Sequence, residues 1–356
     1  LRIGSGDGDY SVDFVDEIKG VVEQVGQVSK PIFVVDRRLA QIYEKELAPL
    51  LRAFPHLLLD ATEDEKTLDG VTRCVTWIQS LRSDKKTTLV AIGGGITQDI
   101  CAFSTHIYYR GIKWVFVPTT LLSMGDSCIG GKCGINLNGF KNHVGVFHPP
   151  SRVIICTKFL DSLNEADLAS GYGEVLRLML TGSQRQFDLL RDVLERSHLR
   201  TPELADLIYE SLNIKKGVIE QDEYELNLRR ILNYGHTFGH SLEKITDHAV
   251  PHGLAVAWGV DIINYLSVKR GLMAEENFKT VHEFIRTYLP FRLPRPISAH
   301  ELIQGARGDK KVENGQLTLI LSEGPGALKI TSTPFDSTLE REVEEYLKDH
   351  NVFDCA

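Results

Sequence analysis

The chain has 356 residues, 42% hydrophobic and 25% charged, which is ordinary globular composition and enough for two domains. A formal charge of −8 and a pI near 5.9 argue against nonspecific nucleic-acid binding, which needs an extended basic face. Mean hydropathy is −0.12, no apolar run nears the roughly 20 residues of a membrane helix, and Leu1–Tyr10 shows no leader pattern, so a soluble, cytoplasmic protein is expected.

In chain order, Pro31–Asp36 reads as a buried strand ending in an acid, and residues 68–81 as an amphipathic helix. Residues 87–92 form a second strand that runs into Gly93-Gly94-Gly95, with a helix opening behind it over residues 96–109. Residues 114–118 are a third strand, ending in Thr119-Thr120. Strands alternating with helices imply right-handed crossovers and a mostly parallel sheet. Past residue 156 the pattern turns helical, over 166–179, 203–219, 237–245, 254–270 and 275–288, with Pro290, Pro294 and Pro296 ending the last. Two short strands, 317–321 and 327–331, precede a helix from Ser337. The expected fold class is therefore α/β. A Rossmann-like nucleotide-binding domain spans 1–155, and a mostly α-helical metal- and substrate-binding domain spans 156–356. The six cysteines, at 74, 101, 128, 133, 156 and 355, form no CxxC pair and read as reduced thiols.

Three groups of residues carry chemistry. The glycine run lets a phosphate approach the backbone, and the helix behind it offers free N–H donors and a favourable dipole. Asp36 suits either an adenosine ribose or a helix N-cap. His236 and His240 stand at i and i+4 on one helix face, with His252 twelve residues further on. Such imidazoles can meet one ion, and a carboxylate from elsewhere would complete an open site. Finally, Arg110, Lys132, Lys141, Asn142, Lys215, Arg229, Lys310 and Lys311 gather near these motifs despite the acidic total, which suits an anionic substrate.

Gly93-Gly94-Gly95 with Asp99, Tyr109-Arg110-Gly111, Val117 through Leu122, and Asp126 through Gly130-Gly131-Lys132 to Asn142 together resemble the sugar-phosphate cyclases, the 3-dehydroquinate synthase family. The resemblance continues through Gly173-Glu174-Val175, Leu232 through His240, His252-Gly253 and Asp309-Lys310-Lys311, in order and over most of the chain. It implies that Glu174, His236 and His252 hold a divalent metal, usually zinc with cobalt possible, and that His240 contacts substrate. It implies NAD contacts at Asp36, Glu63, Lys66, Gly94, Gly95, Asp99, Thr119, Thr120 and Lys141. Arg110, Lys132, Asn142 and one of Lys310 or Lys311 match phosphate-side positions, with Arg110 reaching across a homodimer in the family. Asp126, Lys215, Arg229 and Asn233 match positions around the substrate's hydroxyls and carboxylate, and Arg177 falls among these substrate-facing positions. Asp126, Lys132, Arg177, Lys215, Arg229, Asn233 and His240 are accordingly the catalytic candidates.

The chain departs from the family pattern at several points. Arg177 replaces the Lys usual three residues after the metal glutamate, a planar fork for a compact ammonium. Gln98, Cys128 and Cys133 stand where Gly, Ser and Thr are usual. The implied activity is an NAD- and metal-dependent carbon–oxygen lyase that closes a small-molecule sugar phosphate into a carbocycle with loss of phosphate and no net redox change. A heptulosonate 7-phosphate giving 3-dehydroquinate is the preferred substrate. The alternatives are a sedoheptulose 7-phosphate cyclase of the 2-epi-5-epi-valiolone synthase kind, a metal-dependent polyol dehydrogenase, and a catalytically silent scaffold.

Overall fold

Runs of β-branched and aromatic residues that are apolar on both faces build the first half of the molecule. In the computed structural model, which describes residues 1–138, 140–293, 295–307, 312–313 and 316–349, these runs form a seven-stranded sheet. Its spatial order is Arg2–Ile3, Tyr10–Phe14, Arg152–Ile155, Lys113–Pro118, Thr88–Gly93, Pro31–Asp36 and His56–Leu59. Every neighbouring pair is parallel except Arg2–Ile3, which runs antiparallel to Tyr10–Phe14. Ile32 through Val35 and Leu89 through Ile92 are buried, as expected of central strands covered on both faces. The register pairs Val35 with Ile92 and Gly93 with Pro118. Asp36, the glycine run and Thr119 therefore emerge together at the carboxyl edge, where open α/β sheets bind ligands.

The chain divides into two compact units, Leu1–Leu163 and a second that opens at Asn164. The turn Thr157–Ser162 belongs to the first unit, with Phe159 and Leu160 buried and the Tyr43 hydroxyl donating to the Lys158 carbonyl at 3.0 Å. A separate hairpin, Lys132–Leu137 with Phe140–Phe147, lies outside the large sheet.

The second unit is built around the helix His252–Lys269, whose residues from Gly253 to Ser267 are all buried. A helix apolar all round must be enclosed, and this one packs against Glu165–Gly182, His236–Ile245, Glu275–Tyr288 and Ser337–Asp349. Its one buried acid, Asp261, accepts hydrogen bonds through Oδ2 from the Tyr346 hydroxyl at 2.6 Å and His282 Nδ1 at 2.7 Å. An antiparallel sheet of Val312–Glu313, Gln316–Gly324 and Ala327–Pro334 completes the unit. Among the described residues, no helix is long and apolar enough to cross a membrane.

Candidate active site

In the first unit, the strand Thr88–Gly93 passes through Gly94 directly into the helix Gly95–Ile107, which has no side-chain cap at its start. A Cβ on Gly95 would meet nothing within 4 Å, so the first turn stands open with its N–H groups available. Beside it, Thr119 is buried, and Thr120 Oγ1 lies 2.7 Å from Ser123 Oγ. Lys66 and Asp99 form a buried ion pair at 2.6 Å. Burial opposes both charges. Asp99 outweighs it for Lys66, whose ammonium is held above its usual range, whereas the Asp99 carboxyl is still pushed up. Asp99 also accepts from the backbone N–H of Gly134 at 3.2 Å.

Glu63 accepts from Asn136 Nδ2 at 2.7 Å and lies 3.8 Å from Lys141 Nζ, which ties the hairpin to the nucleotide side of the unit. Asp36 caps the helix Arg37–Ile42, its carboxylate accepting from the N–H groups of Arg38 and Leu39. Of the two readings offered by the sequence, the cap is the one present here. Cys133 donates to the Asp99 carbonyl at 2.9 Å, and burial pushes its thiol well up, so it packs as a neutral group. Gln98 and Ser127 bond each other through two contacts, at 2.7 and 2.6 Å.

Arg110 lies in a run of left-handed backbone, with φ of 51° at Tyr109, 61° at Arg110 and 115° at Gly111. Asp126 sits in the turn Ser123–Ser127, while Lys132 and Asn142 are exposed on the hairpin. Lys310 and Lys311 fall outside the described residues.

In the second unit, two close backbone approaches assemble the metal-type residues. A Cβ on Gly173 would lie 1.9 Å from the Gly253 carbonyl oxygen, so the helices carrying Glu174 and His252 touch main chain to main chain. Gly235, at φ 81°, turns the chain into the helix His236–Ile245 against Val256 and Val260. These approaches bring three side chains together. Glu174 Oε1 lies 3.1 Å from His252 Nε2 and 3.6 Å from His236 Nε2. His240 joins them, its ring nitrogen within 4.8 Å of those of His236 and His252.

The tautomers follow from the outer partners. His236 Nδ1 faces the Tyr234 carbonyl at 3.3 Å, and His252 Nδ1 faces Glu243 Oε2 at 2.9 Å. Both partners only accept, so both Nδ1 atoms carry the proton and both Nε2 atoms turn toward Glu174. Burial holds His236 well below its usual range, hence neutral. Burial also opposes charge on Glu174, but Arg177 and the two histidines outweigh it and keep the carboxylate ionised, well below its usual range. For His252 the flanking Glu174 and Glu243 prevail over burial and raise the imidazole to about 10. These atoms call for one positive charge among them, from a proton or a metal. One carboxylate oxygen and two neutral imidazoles are a donor set that fits a divalent ion of the zinc type.

Arg177, expected to face substrate, is fully buried and donates from Nε to Glu174 Oε2 at 2.6 Å. Lys215 and Arg229 are also buried, and Arg229 donates to the Glu223 carbonyl. Asn233 donates to Glu225 Oε1 at 2.6 Å. Sequence reasoning missed Glu243, although its spacing from His236 and His240, at i+7 and i+3, puts all three on one helix face.

Family models for the N-terminal and C-terminal parts of 3-dehydroquinate synthase match residues 56–170 and 171–312. A 3-dehydroquinate synthase of Streptococcus pyogenes is 33% identical over 335 residues, covering 92% of this chain and 93% of the relative. The solved structure of 2-epi-5-epi-valiolone synthase from Streptomyces hygroscopicus subsp. jinggangensis, with NAD+ and Zn2+ bound, superposes with a TM-score of 0.85 at 25% identity, covering 99% of each chain. A 2-deoxy-scyllo-inosose synthase complexed with carbaglucose-6-phosphate, NAD+ and Co2+ shares the fold at a TM-score of 0.86 and 24% identity, covering 97% of this chain and 99% of the other. The chain belongs to the 3-dehydroquinate synthase family, the NAD- and metal-dependent sugar-phosphate cyclases, and is a lyase-type enzyme.

Proposed function

We propose that the protein converts a heptulosonate 7-phosphate into 3-dehydroquinate and phosphate. The observation that carries this reading is the 33% identity with a 3-dehydroquinate synthase over 335 residues, 92% of the chain. Lys215 and Arg229, both buried, offer a substrate carboxylate charge-assisted hydrogen bonds, each contributing about 1.5–3 kcal/mol.

In this reading the open helix start behind Gly94 and Gly95 receives the pyrophosphate of NAD, with Lys66, Asp99, Thr119 and Thr120 beside it and Glu63 and Lys141 at the hairpin. Asp36 reaches the adenosine ribose, and its negative charge disfavours a 2′-phosphate. Glu174, His236 and His252 hold the divalent ion. Bound there, the nucleotide supplies reversible hydride acceptance and the ion Lewis-acid polarisation of substrate oxygens, so phosphate can be lost without net redox change. Arg110, Lys132, Asn142 and one of Lys310 or Lys311 grip the leaving phosphate through charge-assisted hydrogen bonds. Asp126, Asn233 and His240 orient hydroxyls. Two domains divide the work in a homodimer, nucleotide binding in the first and metal and substrate binding in the second, with the boundary at Leu163 and not at the residue 155 expected from the sequence.

A second reading, cyclisation of sedoheptulose 7-phosphate, is favoured by one observation: Arg177 is bonded to Glu174, so the cation usual at this position is engaged elsewhere. The test is incubation with NAD, zinc and each sugar phosphate in turn, with phosphate and NADH measured together. Phosphate release from the heptulosonate without NADH is expected. Activity on sedoheptulose 7-phosphate alone overturns the choice of substrate, and accumulating NADH overturns the lyase reading for a polyol dehydrogenase.

A further inference from the structure

Glu174 has two oxygens with different partners. Oε1 faces both histidine Nε2 atoms, whereas Oε2 accepts the Arg177 Nε–H at 2.6 Å. The two residues sit at i and i+3 of one helix, and both side chains are at most 2% exposed, so neither can turn toward solvent. A carboxylate beside a divalent ion can offer one oxygen or two. Two-oxygen ligation would make the ion compete with Arg177 for the electron density of Oε2, and weakening a short charge-assisted bond to a buried guanidinium is costly in a low-dielectric interior.

The geometry points to Arg177 as a positioning residue that confines Glu174 to ligation through one oxygen, keeping a coordination position open for a substrate oxygen. This rests on the reading of Glu174, His236 and His252 as the metal ligands. In this role Arg177 acts through Glu174 and touches no reacting atom. A planar fork suits it better than an ammonium would, because Nε–H points along a fixed direction while the rest of the guanidinium stays packed.

The test uses the full chain, stripped of metal and reconstituted with Co2+ alone, read by visible absorption in the absence of substrate. The unmodified protein is expected to bind one equivalent and show the intense d–d bands of low coordination number. Arg177→Met should weaken and shift those bands as Oε2 enters the coordination sphere. Arg177→Gln, which can still donate an N–H to Oε2, should restore them. Unchanged bands in Arg177→Met at one equivalent of Co2+ overturn the inference and leave the ligand set standing. Failure of the unmodified protein to bind Co2+, with no change on His236→Ala, removes the ligand set itself. Should Arg177→Met not fold, the metal-induced infrared difference spectrum of the unmodified protein decides. A wide separation of the antisymmetric and symmetric carboxylate stretches marks one-oxygen ligation, and a narrow one overturns the inference.

Discussion

Glu243 provides a demanding test of the metal centre, because it contacts His252 from behind and not through the ligating nitrogen. Its Oε2 lies 2.9 Å from His252 Nδ1, and its Oε1 lies 3.9 Å from His248 Nδ1. The contact fixes the tautomer that leaves Nε2 free to ligate, and the carboxylate's charge strengthens that nitrogen as a donor. Replacing Glu243 with Ala removes both effects, and both losses weaken metal binding. Removal of such an outer partner typically costs 10- to 100-fold in affinity, or about 1.4–2.7 kcal/mol. Zinc dissociation constants from chelator competition, with circular dichroism of the metal-free protein as the folding control, measure the effect. Glu243→Gln should fall between wild type and Ala, since an amide oxygen can accept the same proton without the charge. A folded Glu243→Ala protein with an unchanged dissociation constant would refute the reasoning.

His236→Ala should eliminate stoichiometric zinc while preserving the far-ultraviolet spectrum; retention of one equivalent would sink the assignment. Asp36→Ala should cost about 0.5–2 kcal/mol of stability in urea titrations without nucleotide, the loss of a helix cap. Calorimetry on the unmodified protein should show NAD binding more tightly than NADP, and equal or tighter NADP binding leaves Asp36 as a cap alone. Tyr346→Phe removes a hydroxyl that donates to buried Asp261 and should destabilise by about 1.5–3 kcal/mol, read as a lowered urea midpoint with the ring packing retained. Burial and the neighbouring His106 lower the His148 pKa, so the unfolded chain takes up this proton first on acidification. Stability should fall as pH drops below the unfolded value near 6.5 and level off once the folded imidazole also protonates, with His148→Gln flattening that limb.

The strands legible in the sequence are those buried on both faces, such as Pro31–Asp36 and Thr88–Gly93, because a short apolar run rich in β-branched residues and bounded by Pro or Gly suits a central strand. Tyr10–Phe14 was harder to read: it is five residues long, polar at Ser11 and Asp13, and preceded by a Gly- and Asp-rich stretch. The hairpin escaped for a related reason, since most of Phe140–Phe147 is exposed and its partner strand is only half buried. Pro49 argues against the helix Glu44–Ala53, yet lies inside it, past the first turn, where the helix forms without the N–H that would bond the Lys45 carbonyl. Gln184–Ser197 did carry a signal, with Phe187, Leu190 and Leu194 at helical spacing among charged residues. At the site, His236 and His240 were visible because one helix turn joins them. Glu174 needed the contact of Gly173 with Gly253, a tertiary event no local spacing reports. Arg177 was visible as a residue, but its bond to Glu174 depends on rotamers chosen by a buried environment.

The hairpin that carries Lys132, Lys141 and Asn142 shares no strand with the seven-stranded sheet. Its inner strand is fastened by buried Cys133 and Ile135, by the Asn136 N–H to the Lys66 carbonyl at 2.9 Å, by the Asn136 amide to Glu63, and by the Gly134 N–H to Asp99, whereas most of Phe140–Phe147 is exposed. Its tip can therefore lengthen, shorten or exchange residues without altering the register of any sheet strand. If Lys132 and Asn142 take the phosphate-side role proposed above, descendants of one ancestral gene could retune the anionic end of their substrate by drift on the exposed strand of this appendage without disturbing the large sheet. Diversification of such enzymes would then be paced by tolerance in a surface ribbon, and only rarely by change in the buried scaffold.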